Sequence, residues 1–327
     1  MLKTRLCDLL GIDHPIVSAP MGSAAGPELA AAVSEAGGFG LIGMGVQSDP
    51  IWLRDQIQTA RELTRRPFGV GYITPLANPA VLDVALEEKV TAVSHSFHSA
   101  GDETPLIRDA HAAGVKVFVQ AQNLSQAKAA VAAGVDVLTA QGTEAGGHGG
   151  YIGTLSMVAA TLKVAGDTPV VAAGGIADGR TFAAMLLLGA DGVWIGTRFI
   201  ASREASSAPW AKQRVLEAGA DDTVKTKAYD LAMGWPFPEE IIGDRVLRND
   251  YTAAWHGRNQ DVTARQEALK AQIQSASRSG DAKIAAVRAG NAVELIDRIE
   301  PAGEIVTRLV RDAEQVLGTR PQAILRD

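Results

Sequence analysis

A histidine lies within the most glycine-rich stretch of the chain. Residues 140–150 read AQGTEAGGHGG, with His148 between glycines, and they follow an apolar run. An imidazole titrates near neutral pH, so it can accept or donate a proton during catalysis. A turn needs one or two glycines, and the surplus indicates that a flat group lies against this backbone with His148 over it. A loop histidine satisfied by solvent or by the backbone is the alternative interpretation.

Two later stretches are typical of a phosphate site. VVAAGGIADGR (170–180) and GVWIGTRF (192–199) each indicate a buried strand that ends at glycine and continues into a helix, and Arg198 adds a charge nearby. Backbone N–H groups at such turns can converge on an anion. Tight turns that need glycine for geometry alone are the alternative. We predict that a phosphate is bound by Gly174, Gly175, Gly196 and Thr197.

The elements that position these residues repeat with a βα period. Short β-branched runs alternate with Ala- and Leu-rich stretches at helical spacing. Eight such units predict an α/β fold, a (β/α)8 TIM barrel, with the chemistry at the C-terminal ends of the strands. The predicted strands are Pro15–Ala19, Gly38–Ile42, Phe68–Ile73, Val90–His95, Val115–Gln120, Val135–Ala140, Pro169–Ala173 and Gly192–Gly196.

The repeat breaks between residues 208 and 281. We predict that residues 1–207 and 282–327 form the barrel, and that 208–281 is an inserted, mainly helical lid or substrate-side domain. A disordered linker is the alternative, which aromatic residues disfavour. The segment holds three of the five tryptophans: Trp210, Trp235 and Trp255.

Composition excludes several classes of protein. The chain of 327 residues has 31 basic and 37 acidic side chains and a net charge of −6, so no basic nucleic-acid surface is expected. The single cysteine, Cys7, cannot form an internal disulfide, which fits a reducing compartment. No apolar run reaches roughly 18 residues, and the N-terminus does not resemble a signal peptide. We therefore expect a cytoplasmic protein that binds neither nucleic acid nor a membrane.

A flavin mononucleotide (FMN) fits the glycine pattern. Its phosphate would lie at the predicted phosphate site, after predicted strands seven and eight, where barrels often bind one. Its ring would lie between the glycine-rich stretch and APMG (19–22), which follows predicted strand one.

The same segments resemble the nitronate monooxygenase family, formerly called 2-nitropropane dioxygenases. The resemblance covers residues 5–204 well and 284–318 moderately. Quinone reductases and FMN-dependent enoyl-ACP reductases share these motifs, so the motifs define the fold and cofactor more firmly than the substrate. They are APM after strand one, AQGTEAGGHGG after strand six, AAGGIADGR after strand seven, GTRF after strand eight, and the C-terminal AGNAVELIDRIEPAGEIV.

The resemblance implies that FMN is the cofactor and that His148 is the catalytic residue. Relatives commonly have a flavin-facing asparagine on strand three where this chain has Gly71, so one flavin hydrogen bond would pass to water or to another residue. The implied cofactor-binding residues are Pro20, Met21, Gly22, Gln120, Gln141, Gly147, Gly174, Gly175, Gly196 and Thr197.

The implied activity is the oxidation of alkyl nitronates by O2 to a carbonyl compound and nitrite, a detoxifying role. Nitroalkanes would also react if His148 removes their acidic α-proton, although the imidazole could instead donate to the nitro oxygens. An NAD(P)H-dependent quinone or enoyl-thioester reductase is the first alternative, and a flavin-binding protein without turnover is the second. The expected partners are a small-molecule nitronate and O2, and a homodimer stays open.

Two further histidines follow predicted strand four. His95 and His98 are spaced as H-x-x-H, but no third ligand accompanies them, so no metal site is expected. We assign both to the substrate pocket, with solvated loop histidines as the alternative. Met44 is assigned to the same pocket, with core packing as the alternative.

Overall fold

Eight parallel strands form a nearly closed barrel at the centre of the fold. The computed structural model describes residues 2–45 and 49–325. The strands are β1 Ile16–Ser18, β2 Gly40–Gly43, β3 Phe68–Ile73, β4 Ala92–Ser96, β5 Lys116–Ala121, β6 Val137–Gln141, β7 Gly147–Gly149, β8 Val170–Ala173, β9 Gly192–Ile195, β10 Thr223–Thr226 and β11 Gly243–Leu247. The barrel order is β1-β9-β8-β6-β5-β4-β3-β2, and a bridge between Val17 and Phe39 joins its two ends.

All eight predicted barrel strands are present, so the predicted TIM barrel is confirmed. Predicted strands seven and eight correspond to β8 and β9. Inward-facing side chains such as Phe39, Phe118 and Trp194 fill the barrel interior and pack with the N-terminal helix, which carries the buried Cys7. Because these large apolar side chains fill the barrel, no channel runs along its axis in the part of the chain that the structure describes. A ligand site can therefore form only from the loops at the C-terminal ends of the strands.

Helices surround the barrel and also make up most of the remaining segment. Asp178 begins α8 with a capping box to Thr181, and Gly189 ends it in the left-handed region (φ 109°). Within the described residues no helix combines the length and apolarity needed to cross a membrane. The helices are α1 Arg5–Leu10, α2 Pro27–Glu35, α3 Pro50–Leu63, α4 Pro79–Glu87, α5 Thr104–Ala112, α6 Leu124–Ala132, α7 Thr154–Leu162, α8 Gly179–Leu188, α9 Thr197–Ile200, α10 Pro209–Glu217, α11 Ala228–Met233, α12 Asp250–Trp255, α13 Asn259–Ala264, α14 Gln266–Ser279 and α15 Ala302–Ile324.

The segment predicted as an insert contains a small sheet as well as helices. Strands β10, β11 and β7 pair antiparallel in that order, so the sheet includes part of the glycine-rich stretch after β6. A second apolar cluster, with Val224, Tyr229 and Ile273 among its members, packs under this sheet and its helices. By contrast, Val215 of α10 belongs to the barrel core. The division at residue 208 and the lid role stay predictions.

Candidate active site

A cavity of about 490 Å³ lies at the C-terminal ends of the barrel strands. Its wall takes residues from the ends of strands β1, β3, β4, β5, β6, β8 and β9, as expected for a TIM-barrel active site. Eleven residues predicted from the sequence line it together: His148 and the ten predicted cofactor-binding residues, namely Pro20, Met21, Gly22, Gln120, Gln141, Gly147, Gly174, Gly175, Gly196 and Thr197.

The three residues assigned to a substrate pocket lie elsewhere. His95 and His98 are buried with their rings 4.8 Å apart, and Nδ1 of His95 lies 2.9 Å from the Thr74 hydroxyl. Burial, with a smaller contribution from His98, lowers the pKa of His95 to about 3. Alternate residues of a strand face opposite sides, and it is Ser96 that lines the cavity. Met44 packs in the main apolar core, so the structure brings none of the three to the cavity wall.

Glycine geometry defines one end of the cavity. Gly174 and Gly175 have φ values of 103° and 74°, and a Cβ at Gly174 would lie 2.9 Å from the Thr154 hydroxyl. A Cβ at Gly196 would meet Ala19 only at an ordinary 3.4 Å, so glycine here leaves open space rather than avoiding a clash. These features fit the cradle expected for a flavin phosphate. Arg198 is not part of this cradle, because its guanidinium is buried 2.8 Å from Glu300.

The middle of the cavity has an unsatisfied amide. Oε1 of Gln120 is buried and has no hydrogen-bond partner within residues 2–45 and 49–325. Oε1 of Gln141 accepts a hydrogen bond from Nε2 of Gln122 at 2.9 Å. A buried acceptor without a donor is costly, so a ligand N–H group is expected at Gln120. The isoalloxazine ring of a flavin offers such a donor.

At Gly71, where the resemblance implied a departure from asparagine, there is no room for a side chain. A Cβ at Gly71 would lie 2.2 Å from both Cβ and Cγ of Pro20. The Pro20 ring therefore occupies the space that a side chain on β3 would need. Gly71 and Pro20 therefore form one packing unit at the cavity, and this close approach favours glycine at position 71.

His148 lies on β7, directly opposite Asp244 of β11. Its Nε2 lies 2.7 Å from Oδ1 of Asp230, and both side chains are buried. The ring of Phe237 stacks on the imidazole at a centroid distance of 3.8 Å, and Phe97 contacts it edge-on at 5.4 Å. The histidine is thus fixed in orientation by the hydrogen bond with Asp230 and by aromatic rings on its face and edge.

A second carboxylate lies beside this pair. Asp244 is fully buried, and Nε of Arg288 lies 2.7 Å from its Oδ2. Burial raises the pKa of Asp244, and the positive charge of Arg288 opposes that shift. Ligand-type atoms of His148, Asp230 and Asp244 all lie within 4.8 Å of one another. Each of the three already has a hydrogen-bond or ion-pair partner within the described residues.

Four of these residues were missed by the sequence analysis: Asp230, Phe237, Asp244 and Arg288. They lie 82 or more residues after His148 in the chain. Asp244 occurs on a short strand whose partner is only three residues long, so no local periodicity marks it. The one available signal was the tryptophan and phenylalanine content of the inserted segment.

Comparisons with known proteins relate nearly the whole chain to nitronate monooxygenases. A sequence model of the nitronate monooxygenase family matches residues 3–81 and 77–312. The chain is 33% identical to the nitronate monooxygenase of Paraburkholderia phytofirmans, with 96% of each chain covered, and 29% identical to a probable nitronate monooxygenase of Staphylococcus aureus strain Newman, with 96% of this chain and 98% of the relative covered.

Solved structures show the same similarity. FabK from Thermotoga maritima superposes with a TM-score of 0.88 at 35% identity, covering 99% of this chain and 100% of that one. A nitroalkane oxidase from Streptomyces ansochromogenes superposes with a TM-score of 0.84 at 30% identity, covering 96% and 99%. The chain belongs to the nitronate monooxygenase family, and it is a flavin-dependent enzyme that oxidises nitronates.

Proposed function

We propose that the flavin is FMN and that His148 is the base that extends the reaction from nitronates to neutral nitroalkanes. The observation that carries this proposal is that His148 faces the same cavity as the two glycine turns, with its Nε2 held by Asp230. A single phosphate cradle, formed by adjacent loops after β8 and β9, supports a mononucleotide. The cavity volume of about 490 Å³ is in the range of cofactor pockets.

His148 has the chemistry that a nitroalkane requires. Its hydrogen bond with Asp230 uses Nε2, and within the described ranges no other hydrogen bond engages the ring, so Nδ1 is free for the α-proton. Removal of that proton gives the nitronate. A bound flavin supplies the electron-transfer and oxygen chemistry. The C–N bond then breaks, oxygen is added to the carbon, and nitrogen leaves as nitrite. The Phe97 and Trp235 side chains provide an apolar wall for the alkyl group.

Identification of the released cofactor tests the FMN assignment. The purified protein should be yellow, and denaturation should release FMN rather than FAD. A colourless protein that FMN cannot reconstitute would contradict it. Nitrite release from propionate-3-nitronate and from nitroalkanes, measured under air, tests the reaction itself.

A reductase is the second candidate, because quinone and enoyl-thioester reductases share the glycine motifs. Anaerobic mixing separates the two. Bleaching of the flavin absorption band by nitronate but not by NADH or NADPH would support the oxidase. Rapid bleaching by a nicotinamide cofactor would instead identify a reductase.

We also propose a cytoplasmic location. The single cysteine, Cys7, is buried in the barrel core and has no cysteine partner, which supports a reducing compartment. The substrate is a small molecule that fits the cavity beside the flavin.

A further inference from the structure

We propose that Asp230 is the positioning residue of His148, so that the segment predicted as a lid supplies part of the catalytic centre. The proposal rests on the function of His148 given above. Asp230 lies on α11, and its Oδ1 is 2.7 Å from Nε2 of a histidine 82 residues earlier in the chain. The contact is buried on both sides, with 5% and 9% of the two side chains exposed.

The contact selects one form of the imidazole. A carboxylate that accepts from Nε2–H favours the tautomer with its proton on Nε2, and this leaves the Nδ1 lone pair as the base. The same carboxylate stabilises the imidazolium that forms once the α-proton has been transferred to Nδ1. Asp230 touches neither substrate nor cofactor in this arrangement, and it acts only through His148.

Asp244 does not take this role, although it is also close. Its Oδ2 lies 2.7 Å from Nε of Arg288, and its backbone pairs with that of His148. Two neighbouring buried carboxylates tend to share a proton, which would leave Asp230 a weaker acceptor. Arg288 pairs with Asp244 and favours its charged form against the effect of burial, so the ion pair engages Asp244 rather than Asp230. Lys225 on β10 is the further cation that interacts with Asp244.

The inserted segment therefore fixes His148 from three directions. Strand β11 pairs with β7, Phe237 stacks on the imidazole ring, and Asp230 holds Nε2. A segment that opened as a whole would break all three contacts. Catalysis on neutral nitroalkanes consequently requires this segment to be docked.

Replacement of Asp230 by asparagine tests the proposal. D230N should lower kcat/KM for neutral nitroalkanes by roughly 10²–10⁴-fold, the range for loss of a correctly oriented base. Oxidation of preformed nitronates should fall much less, because no proton is removed. The limb of the nitroalkane pH profile that reports His148 should move to lower pH, since the imidazolium loses its anionic partner. D230E should restore part of the activity.

A measurement on the resting protein separates this proposal from the proposed function. With 15N-labelled histidine, NMR of the wild type should show His148 protonated on Nε2, assigned by the signal lost in H148N, and D230N should redistribute that proton. D250N, an exposed carboxylate of the same segment, is the matched control and should change nothing.

The outcomes are distinct. An unchanged tautomer and pH profile in D230N, or equal losses on nitroalkane and nitronate, would overturn the positioning role and leave Asp230 a structural residue. A wild type that releases no nitrite while its His148 shows the Nε2–H tautomer would contradict the proposed function and leave the Asp230 contact supported.

Discussion

The two ends of the cavity are built in different ways. The end proposed to bind the flavin phosphate, here the phosphate end, consists of backbone turns at Gly174–Gly175 and Gly196, each directly after a barrel strand. The end proposed to be catalytic combines His148 of β7 with Asp230 and Phe237 from a segment far along the chain. The first end depends on the absence of side chains, and the second depends on the contacts between them. Substitutions should therefore affect the two ends independently.

The largest expected effect is at the catalytic end. H148N keeps a polar side chain but removes the base, so turnover of neutral nitroalkanes should fall by roughly 10²–10⁴-fold. Flavin content should be unchanged, because the phosphate end is intact. If His148 is the base, the rising limb of the wild-type nitroalkane pH profile should be absent in H148N. Steady-state rates as a function of pH check the loss of turnover and of the pH limb, and flavin absorbance checks the flavin content. Equal losses on nitronate and nitroalkane would make His148 an anion-binding group instead.

The next effect is at the phosphate end. G196V places a side chain where the cavity is open, while its backbone φ of −106° suits any residue. FMN affinity should fall by about tenfold or more, at least ~1.4 kcal/mol, with the apoprotein melting temperature retained. G174V should lose flavin as well and should also destabilise the fold, because φ is 103° there. Full flavin occupancy in both variants would remove the phosphate assignment.

A smaller effect is expected beneath the ring position. G71A puts a Cβ 2.2 Å from the Pro20 ring and should displace the segment that carries Pro20, which weakens flavin binding. P20G alone should have less effect, and the G71A/P20G pair should recover part of the loss, because glycine at position 20 removes both atoms that the new Cβ would meet. Fluorescence titration of the apoproteins with FMN gives the affinities of the wild type, the two single variants and the double variant, which together form a double-mutant cycle. Additive losses would show that Gly71 and Pro20 do not compete. G318A, at an open helical position, is the control.

The difference between the two ends also explains what the sequence could predict. The barrel strands follow from local β-branched runs, and the glycines of the phosphate end lie within a few residues of strands β8 and β9. His148 is marked by its glycine neighbours. Its partners are not, because a hydrogen bond between residues 148 and 230 leaves no local pattern. His95 lies away from the cavity wall for a related reason, since a shift of one position along β4 changes the face on which a side chain lies.

The last effect concerns Lys225 of β10, which contacts the backbone just after β7 and does not line the cavity. Its Nζ donates to the carbonyl of Gly150 at 3.2 Å, and burial, with Arg245 adding to it, lowers its pKa to about 8. A lysine with a lowered pKa binds its proton more weakly in the folded state than in the unfolded one. The charged lysine therefore lowers the free energy of unfolding at pH values below about 8. The free energy of unfolding should rise as the pH increases from about 8 towards 10.5, the pKa of lysine in the unfolded chain.

K225M removes this dependence. At pH 7 the variant should gain on the order of 1–3 kcal/mol in the free energy of unfolding, less whatever the lost hydrogen bond to Gly150 contributed. The advantage over wild type should shrink as the pH approaches 10.5, because the wild-type lysine is then neutral in both states. Urea unfolding of the apoproteins between pH 7 and 10.5 measures the difference, and K270M, at an exposed helical lysine, should show no such trend. A constant difference between K225M and wild type across that range would mean that Lys225 titrates like a solvated lysine. The contact between β10 and the backbone after β7 would then tolerate the charge of Lys225. That charge would not oppose the docking of the inserted segment on His148.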